Sequence, residues 1–477
     1  MQASKFNVRV PLPNRDELFL MNTFTDAQLI VPGEVADLLD RLDDAPNTSV
    51  RSTGEEREAI DLLVEHGFLV ESHERERADF ERYFRRVRED ASDMRVTVLT
   101  TMQCNFACDY CFQGDHGGPG SAVDKMSLET TAKVGGWIAD RLRELRPKRI
   151  GLMFFGGEPL LNQPAMYALA DQTWTACRDL GITMYVDLIT NGLLLTPDVV
   201  ARLKPYGLNG IKVTLDGDRA THDRMRPMRG GQGTFDRIIE NVRRVADQVD
   251  VTIGGNFDES SIDSYPALLD FLKEQAFADR LAKVSFKPII KTAPAPQPTA
   301  PGVIPLRPVT SDGQLDQAAS GACMTSVGSG GSPCDTCHFV EDSAAFLREE
   351  TERHGFPTPD GVHMGPCEIH RRHAYTIGPD GSLYACPGFT GEPTQSTGHI
   401  DGRAESARQQ AAERFERLAA WRSCGECAFI PVCAGGCSVA SHVELGDMDA
   451  PTCHKASFET ALIGLADRAA KQEDNYL

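Results

Sequence analysis

The sequence lacks several things, and each absence removes a class of protein. It is short of positive charge: 49 Lys and Arg stand against 69 Asp and Glu, a formal net charge of −20. A chain this acidic repels phosphate backbones and anionic lipid, so no nucleic acid and no membrane surface is expected as a partner. No apolar run approaches the ~20 residues that cross a bilayer. The first residues, MQASKFNVRVPLPNRDELF, have no apolar core of the secretory kind, which points to the cytoplasm. No internal repeat is visible. The rest of the composition is that of an ordinary soluble globular protein, 41% hydrophobic and 25% charged over 477 residues. At roughly 100–200 residues per domain, that length suggests about two to four domains.

Cysteine is not lacking. There are 14, and in a cytoplasmic chain clustered cysteines indicate metal or redox chemistry rather than disulfides. Cys104, Cys108 and Cys111 lie together. Cys323, Cys334 and Cys337 form a second group. Seven more run from Cys367 to Cys453. Cys177 is isolated in the apolar-periodic ALADQTWTACRDLG and reads as a buried helix thiol.

Along the chain the pattern changes three times. Residues 1–92 open with FNVRVPLPNRDELFLMNTFTDAQLIV, short strands separated by turn residues. GEVADLLDRL then reads as an amphipathic helix. TGEEREAIDLLVEHGFLVES reads as a helix stopped by Gly67 before a short strand. These strands, helices and wing form a winged-helix-like module. ERERADFERYFRRVRED reads as a linking helix with a solvated charged face.

From 93 to 290 strands and helices alternate. RVTVLTT, RIGLMFF, TMYVDLIT, GIKVTLD, DVTIGGN and KVSFKPII are the strand candidates, with helical stretches between them. Thr196-Pro197 is a helix start, with an N-cap hydroxyl and proline in the first turn. Six such units predict parallel strands with crossover helices, and ligands at the carboxyl ends of the strands. Residues 291–365 begin rich in Pro, Ala, Gly and Ser, the composition of a flexible linker or bridging region.

Cys104-x3-Cys108-x2-Cys111 follows the first of these strands. Structural zinc takes four ligands, so three cysteines suit it poorly. A four-iron cubane held by three thiolates keeps one iron open for a small molecule. This CxxxCxxC loop, with Tyr110 before its last cysteine, resembles the signature of radical S-adenosylmethionine (SAM) enzymes. FFGGEP, with Gly156, Gly157 and Glu158, follows the second strand. ITNG, with Thr190 and Asn191, follows the third. VTLDGDRATHDRMR, with Asp216, His222 and Arg226, follows the fourth. Each resembles that family in order and approximate spacing. The resemblance implies a partial (β/α)6 TIM-type barrel. It implies that Cys104, Cys108 and Cys111 hold a [4Fe-4S] cluster whose open iron takes the methionine end of SAM. Glu158 and the exposed backbone there would accept from the methionine amine, with the glycines letting backbone approach the ligand. Arg226 would pair with the carboxylate, Asn191 would reach the ribose or carboxylate, and Tyr110 would lie beside the adenine.

The seven later cysteines are too many for one four-cysteine zinc site and one short for two. Their spacing resembles the SPASM extension of radical SAM enzymes, over residues 366–477. That resemblance implies two auxiliary [4Fe-4S] clusters, three clusters in all. Cys424, Cys427, Cys433 and Cys453 would hold the outer one; Cys367, Cys386 and Cys437 would hold the inner one. Cys334 and Cys337 are candidates for the missing inner ligand, or are redox thiols or substrate contacts.

Enzymes with this extension often modify peptides. The N-terminal module resembles the elements that capture leader peptides by adding a strand to a sheet edge; a structural cap is the plainer reading. The function these resemblances imply is reductive SAM cleavage and hydrogen abstraction from a ribosomally made precursor peptide. An external flavodoxin or ferredoxin would supply electrons. A crosslink or an epimerised centre are both open as outcomes. A sulfatase-maturase-like activity is disfavoured, because Pro387 in YACPGF stands where those enzymes carry an aspartate base. A small-molecule radical dehydrogenase would use the same cysteines, and so would a non-enzymatic iron–sulfur carrier.

Overall fold

The alternating segments carry the fold. In RIGLMFF, Ile150, Leu152 and Phe154 are all fully buried under helices, while Gly151, Met153 and Phe155 point to the other face of the sheet. A run with one face under helices and the other toward an interior is what a parallel strand with crossover helices requires.

The computed structural model describes residues 1–13, 15–44, 54–114, 125–289, 335–359, 362, 365–402, 406–453 and 455–474. Among these residues the strands are β1 (Gln2–Ala3), β2 (Asn7–Pro11), β3 (Glu17–Asn22), β4 (Gln28–Pro32), β5 (Leu69–Val70), β6 (Asp93–Leu99) and β7 (Arg149–Phe155). They continue with β8 (Thr183–Thr190), β9 (Leu208–Thr214), β10 (Asp250–Phe257), β11 (Leu281–Pro288), β12 (Ala374–Ile377), β13 (Ser382–Tyr384) and β14 (Gly398–His399). The largest sheet runs β11-β10-β9-β8-β7-β6-β12-β13-β14. Its strands β6 to β11 are parallel neighbours in chain order, the partial barrel that the repeating units predict. The helices Leu128–Leu145, Gln163–Leu180 and Phe235–Val245 cover its outer face. Thr196 caps its helix through Val199 N at 3.4 Å, with Pro197 first in the helix. Cys177 lies 1% exposed on the helix Gln163–Leu180, and burial pushes its thiol up to about 12.

The sheet does not end with the barrel. Strand β12 pairs in parallel with β6, Ala374 opposite Arg95 and Ile377 opposite Val98, and β13 and β14 extend it. The cysteine-rich C-terminal region is therefore hydrogen-bonded into the barrel sheet.

Two expectations need correction. The region 291–365 is not all linker. Residues 290–334, with Cys323 and Cys334, lie outside the described residues. Asp335–Arg353, however, is a helix with Cys337 in its first turn. It is rich in Ala, Glu and Arg, strong helix formers, and it buries Leu347 in the barrel core. Beyond it, Pro357 accepts from Val284 N at 2.9 Å on the outer side of β11.

The charged helix His73–Glu89 is not simply solvated either. Glu76 is 5% exposed and accepts from Ser4 Oγ and from Lys5 N. Phe80 and Phe84 of the same helix pack on Trp421. The N-terminal module, with its antiparallel β2-β3-β4 sheet, thus rests on the cysteine-rich region. Phe19 and Met21 reach Phe429 and Val432 there.

Candidate functional site

The carboxyl ends of β6 to β9 bring the four motifs together. The cysteine loop leaves β6 and passes directly over the turn after β7. Gly157 N donates to Thr101 O (3.0 Å) and Glu158 N to Gln103 O (2.9 Å). A Cβ on Gly157 would stand 2.3 Å from the carbonyls of both Met102 and Gln103. One on Gly156, whose φ is 128°, would stand 2.4 Å from Thr101 O. The glycines admit the cysteine loop's own backbone, a contact that FFGGEP alone does not reveal.

Glu158 is fully buried. Its carboxylate accepts from Leu160 N (3.0 Å), Thr190 Oγ1 (2.8 Å) and Asn191 N (2.8 Å). Burial raises its pKa, against the pull of those donors. Glu158 therefore ties the turn after β8 to the turn after β7. Asn191, so held, donates through Nδ2 to Asn105 Oδ1 (2.8 Å) and stands 3.9 Å from Cys104 Sγ.

The segment after β9 closes the other side. Phe106 bridges to Met228, Ala107 N donates to Pro227 O (2.9 Å), and Arg229 Nε donates to Cys104 O (2.8 Å). Asp216 is fully buried and accepts from Asn256 N (2.6 Å), the Tyr110 hydroxyl and Arg226 Nη1 (3.3 Å). Arg226 Nη1 also donates to Tyr110 Oη at 2.6 Å, and its guanidinium lies over the Phe106 ring. Tyr110 and Arg226 thus bond each other and Asp216. His222 accepts from Asp216 N at 3.1 Å through Nδ1, so Nε2–H donates to Thr234 Oγ1 at 3.0 Å. Buried, it is held neutral, its pKa well below the usual value.

Burial and neighbouring thiols perturb several of the cysteines. Burial pushes Cys104 up to about 11, and Glu158 and Cys108 push the same way. Cys108 is raised by burial and by Cys111, against Arg226. In the C-terminal region Cys386, pushed up to about 12 mainly by burial, is raised further by Cys367 and Cys437. Cys433, also at about 12 through burial, feels Cys424, Cys427 and Cys453. Neighbouring thiols of this kind become good ligands when a metal replaces their protons. Among the described residues, no three His, Cys, Asp or Glu side chains converge tightly enough to hold a single metal ion. A four-iron cluster takes one thiolate per iron, so its ligands stand farther apart than those of one zinc. Two buried donors by the first set, Arg226 Nε and Gln113 Nε2, have no partner among the described residues. An anionic group bound there would satisfy them. The donor set fits a cluster and a carboxylate-bearing cofactor.

Sequence reading missed Asn105, Asn256 and Phe106, whose roles come from strands distant in the chain. It also passed over Lys212, although the signal was present. A lysine between Ile211 and Val213 in GIKVTLD must face the barrel interior.

The mostly parallel barrel sets three cysteines at its carboxyl-end mouth. Residues 98–271 match the Radical SAM superfamily, and the chain carries a radical SAM domain there. Proteins of this superfamily use a [4Fe-4S] cluster and SAM. The chain is 33% identical over 151 residues to a GTP 3′,8-cyclase of Synechococcus sp. (strain WH7803), covering 31% of this chain and 41% of that protein. It is 27% identical over 191 residues to an Fe-coproporphyrin III synthase of Methanosarcina barkeri, covering 39% and 43%. The chain thus spans about two fifths of the length of these curated relatives. The solved structure of native anSMEcpe with bound AdoMet matches with a TM-score of 0.54 at 16% identity, over 79% of this chain and 99% of that one. The shared fold extends well beyond the barrel. Among the described residues, no helix is long and apolar enough to cross a membrane.

Proposed function

We propose that this chain is a cytoplasmic radical SAM enzyme with three [4Fe-4S] clusters that acts on a ribosomally made peptide. The observation that carries the reading is the sorting of ten thiols into three sets, the first at the barrel mouth. Cys104, Cys108 and Cys111 hold the SAM cluster. Cys367, Cys386 and Cys437 hold the inner auxiliary cluster, and Cys424, Cys427, Cys433 and Cys453 the outer one. When bound, the first cluster and SAM would supply the radical hydrogen-abstraction chemistry. The chain's own residues bind and orient. Arg226, whose Nε has no partner among the described residues, is the cation for the methionine carboxylate. Glu158 and Thr190 hold Asn191 over Cys104. Asp216 and Tyr110 keep Arg226 aimed at the mouth.

The peptide substrate is supported by the β2-β3-β4 sheet. Among the described residues its outer strands β2 and β4 each have one unpaired edge, where a leader could add as a strand. An external flavodoxin or ferredoxin supplies the electron. A small-molecule substrate is the second reading, favoured by the two relatives, which are named for a nucleotide cyclase and a porphyrin synthase. A short precursor gene beside this one decides for the peptide.

Anaerobic reconstitution should give about 12 irons per chain and release of 5′-deoxyadenosine with dithionite and SAM. Cys104→Ala should abolish that release. Turnover that survives this substitution places the radical site elsewhere, and a zinc-loaded chain that never releases 5′-deoxyadenosine ends the enzyme reading.

A further inference from the structure

The barrel interior holds a lysine that no part of the site above uses. Lys212 stands on β9, beside Ile189 of β8 and Thr252 of β10. Its side chain climbs toward the mouth across Gly254. A Cβ on that glycine would stand 2.3 Å from Lys212 Cε and 3.1 Å from Nζ. A glycine inside a strand weakens it, and here it makes room for one side chain.

The lysine has no counter-ion among the described residues. Among the described residues it makes no hydrogen bond or ion pair, and the charged neighbour it feels is another cation, Lys287 of β11. Lys287 lies in register with Asn256, two residues nearer the mouth than Gly254 and Ser285. The nearby acids are engaged elsewhere. Asp187, lower in the barrel, is bonded by Asn209 Nδ2 at 3.0 Å. Asp216 is taken by Tyr110, Arg226 and Asn256. A chain with 69 acidic residues to 49 basic ones has many carboxylates to offer. Leaving a partly buried ammonium with only a second ammonium for company is unfavourable by itself. A bound anion reverses that sign.

We propose that Lys212, with Lys287 beside it, is the anion anchor of the barrel interior and holds a carboxylate or phosphate of the molecule that enters the mouth. This rests on the mouth being the reaction site proposed above. Gly254 gives the ammonium its place, and Asp187 and Asp216 are held off by their own partners. The site selects substrates carrying a negative group close to the atom that loses hydrogen.

The test is trace acetylation of the full chain, reconstituted anaerobically with iron and sulfide, with each lysine's labelling read by mass spectrometry. Glutarate and inorganic phosphate are the two probes, in separate arms. One charge-assisted contact should slow labelling of Lys212 by about tenfold, while Lys133, on the outer helix Leu128–Leu145, keeps its rate. Protection by glutarate alone assigns a carboxylate, as an acidic peptide would carry. Protection by phosphate alone assigns a phosphorylated small molecule. Calorimetry should then show that Lys212→Met no longer binds the protecting anion. A Lys212 that neither probe protects, or that never reacts, overturns the proposal. Labelling does not depend on SAM cleavage, so this failure is distinct from a failure to release 5′-deoxyadenosine.

Discussion

Replacing Lys212 by methionine should make the protein more stable, and the gain should depend on pH. Methionine keeps the length of the stem and removes the charge. In the folded chain burial, and then the Lys287 charge, push the Lys212 ammonium down from 10.5 to about 8. At 1.36 kcal/mol per pH unit, holding it charged in the fold costs about 3 kcal/mol. Below about pH 8 the lysine is protonated in both folded and unfolded chains, so the folded state carries the whole penalty. Between about pH 8 and 10.5 the unfolded chain binds more protons. Wild-type stability then rises with pH relative to the variant, and above that window the penalty is gone. Lys212→Met should therefore exceed wild type by about 3 kcal/mol near pH 7 and by almost nothing near pH 10.5. Anaerobic urea titrations across that range measure the difference directly, because effects common to both chains cancel. A variant that is no more stable near pH 7, or whose advantage does not change with pH, would show that the amine is paired or fully hydrated. The argument for an anion anchor would then lose its premise. Glutarate or phosphate, whichever protects Lys212 from labelling, should narrow the gap by stabilising wild type alone.

Two further outcomes test the mouth. Gly157→Ala puts a methyl 2.3 Å from two backbone carbonyls of the cysteine loop. The loop must move, at about 1–3 kcal/mol, and iron analysis should show about four fewer irons per chain; full iron content would mean that the loop yields freely. Asp216→Ala strips the buried Arg226 of its acid and Asn256 N of its acceptor. It should lower stability by about 3–5 kcal/mol, with Asp216→Asn losing less because it still accepts; equal midpoints for Ala and wild type in urea would refute the pairing.

The six barrel strands were legible because their pattern is local. Apolar residues at every second position, broken by helices with capping signals such as Thr196-Pro197, leave little freedom. The cysteine motifs were legible because three cysteines within eight residues must share one loop. The helix Asp335–Arg353 was not foreseen, since the Pro- and Gly-rich residues before it dominate the composition of that region. Nor was the burial of Glu76, because a carboxylate in a charged helix looks solvated until Ser4 and Lys5, some seventy residues away, fold against it.

Sequence alone determined the chemistry on offer: which residues carry sulfur, which turns can pass close to a neighbour, and which strand positions face inward. Those follow from residue type and from periods of two and 3.6. Tertiary structure decided the partners. It set the glycines of FFGGEP against the cysteine loop. It took Glu158 into a fully buried knot, closed Asp216, Tyr110 and Arg226 on one another, joined β12 to β6 and set Lys212 beside Lys287. Such pairings depend on distances between segments far apart in the chain, and periodicity carries no information about those.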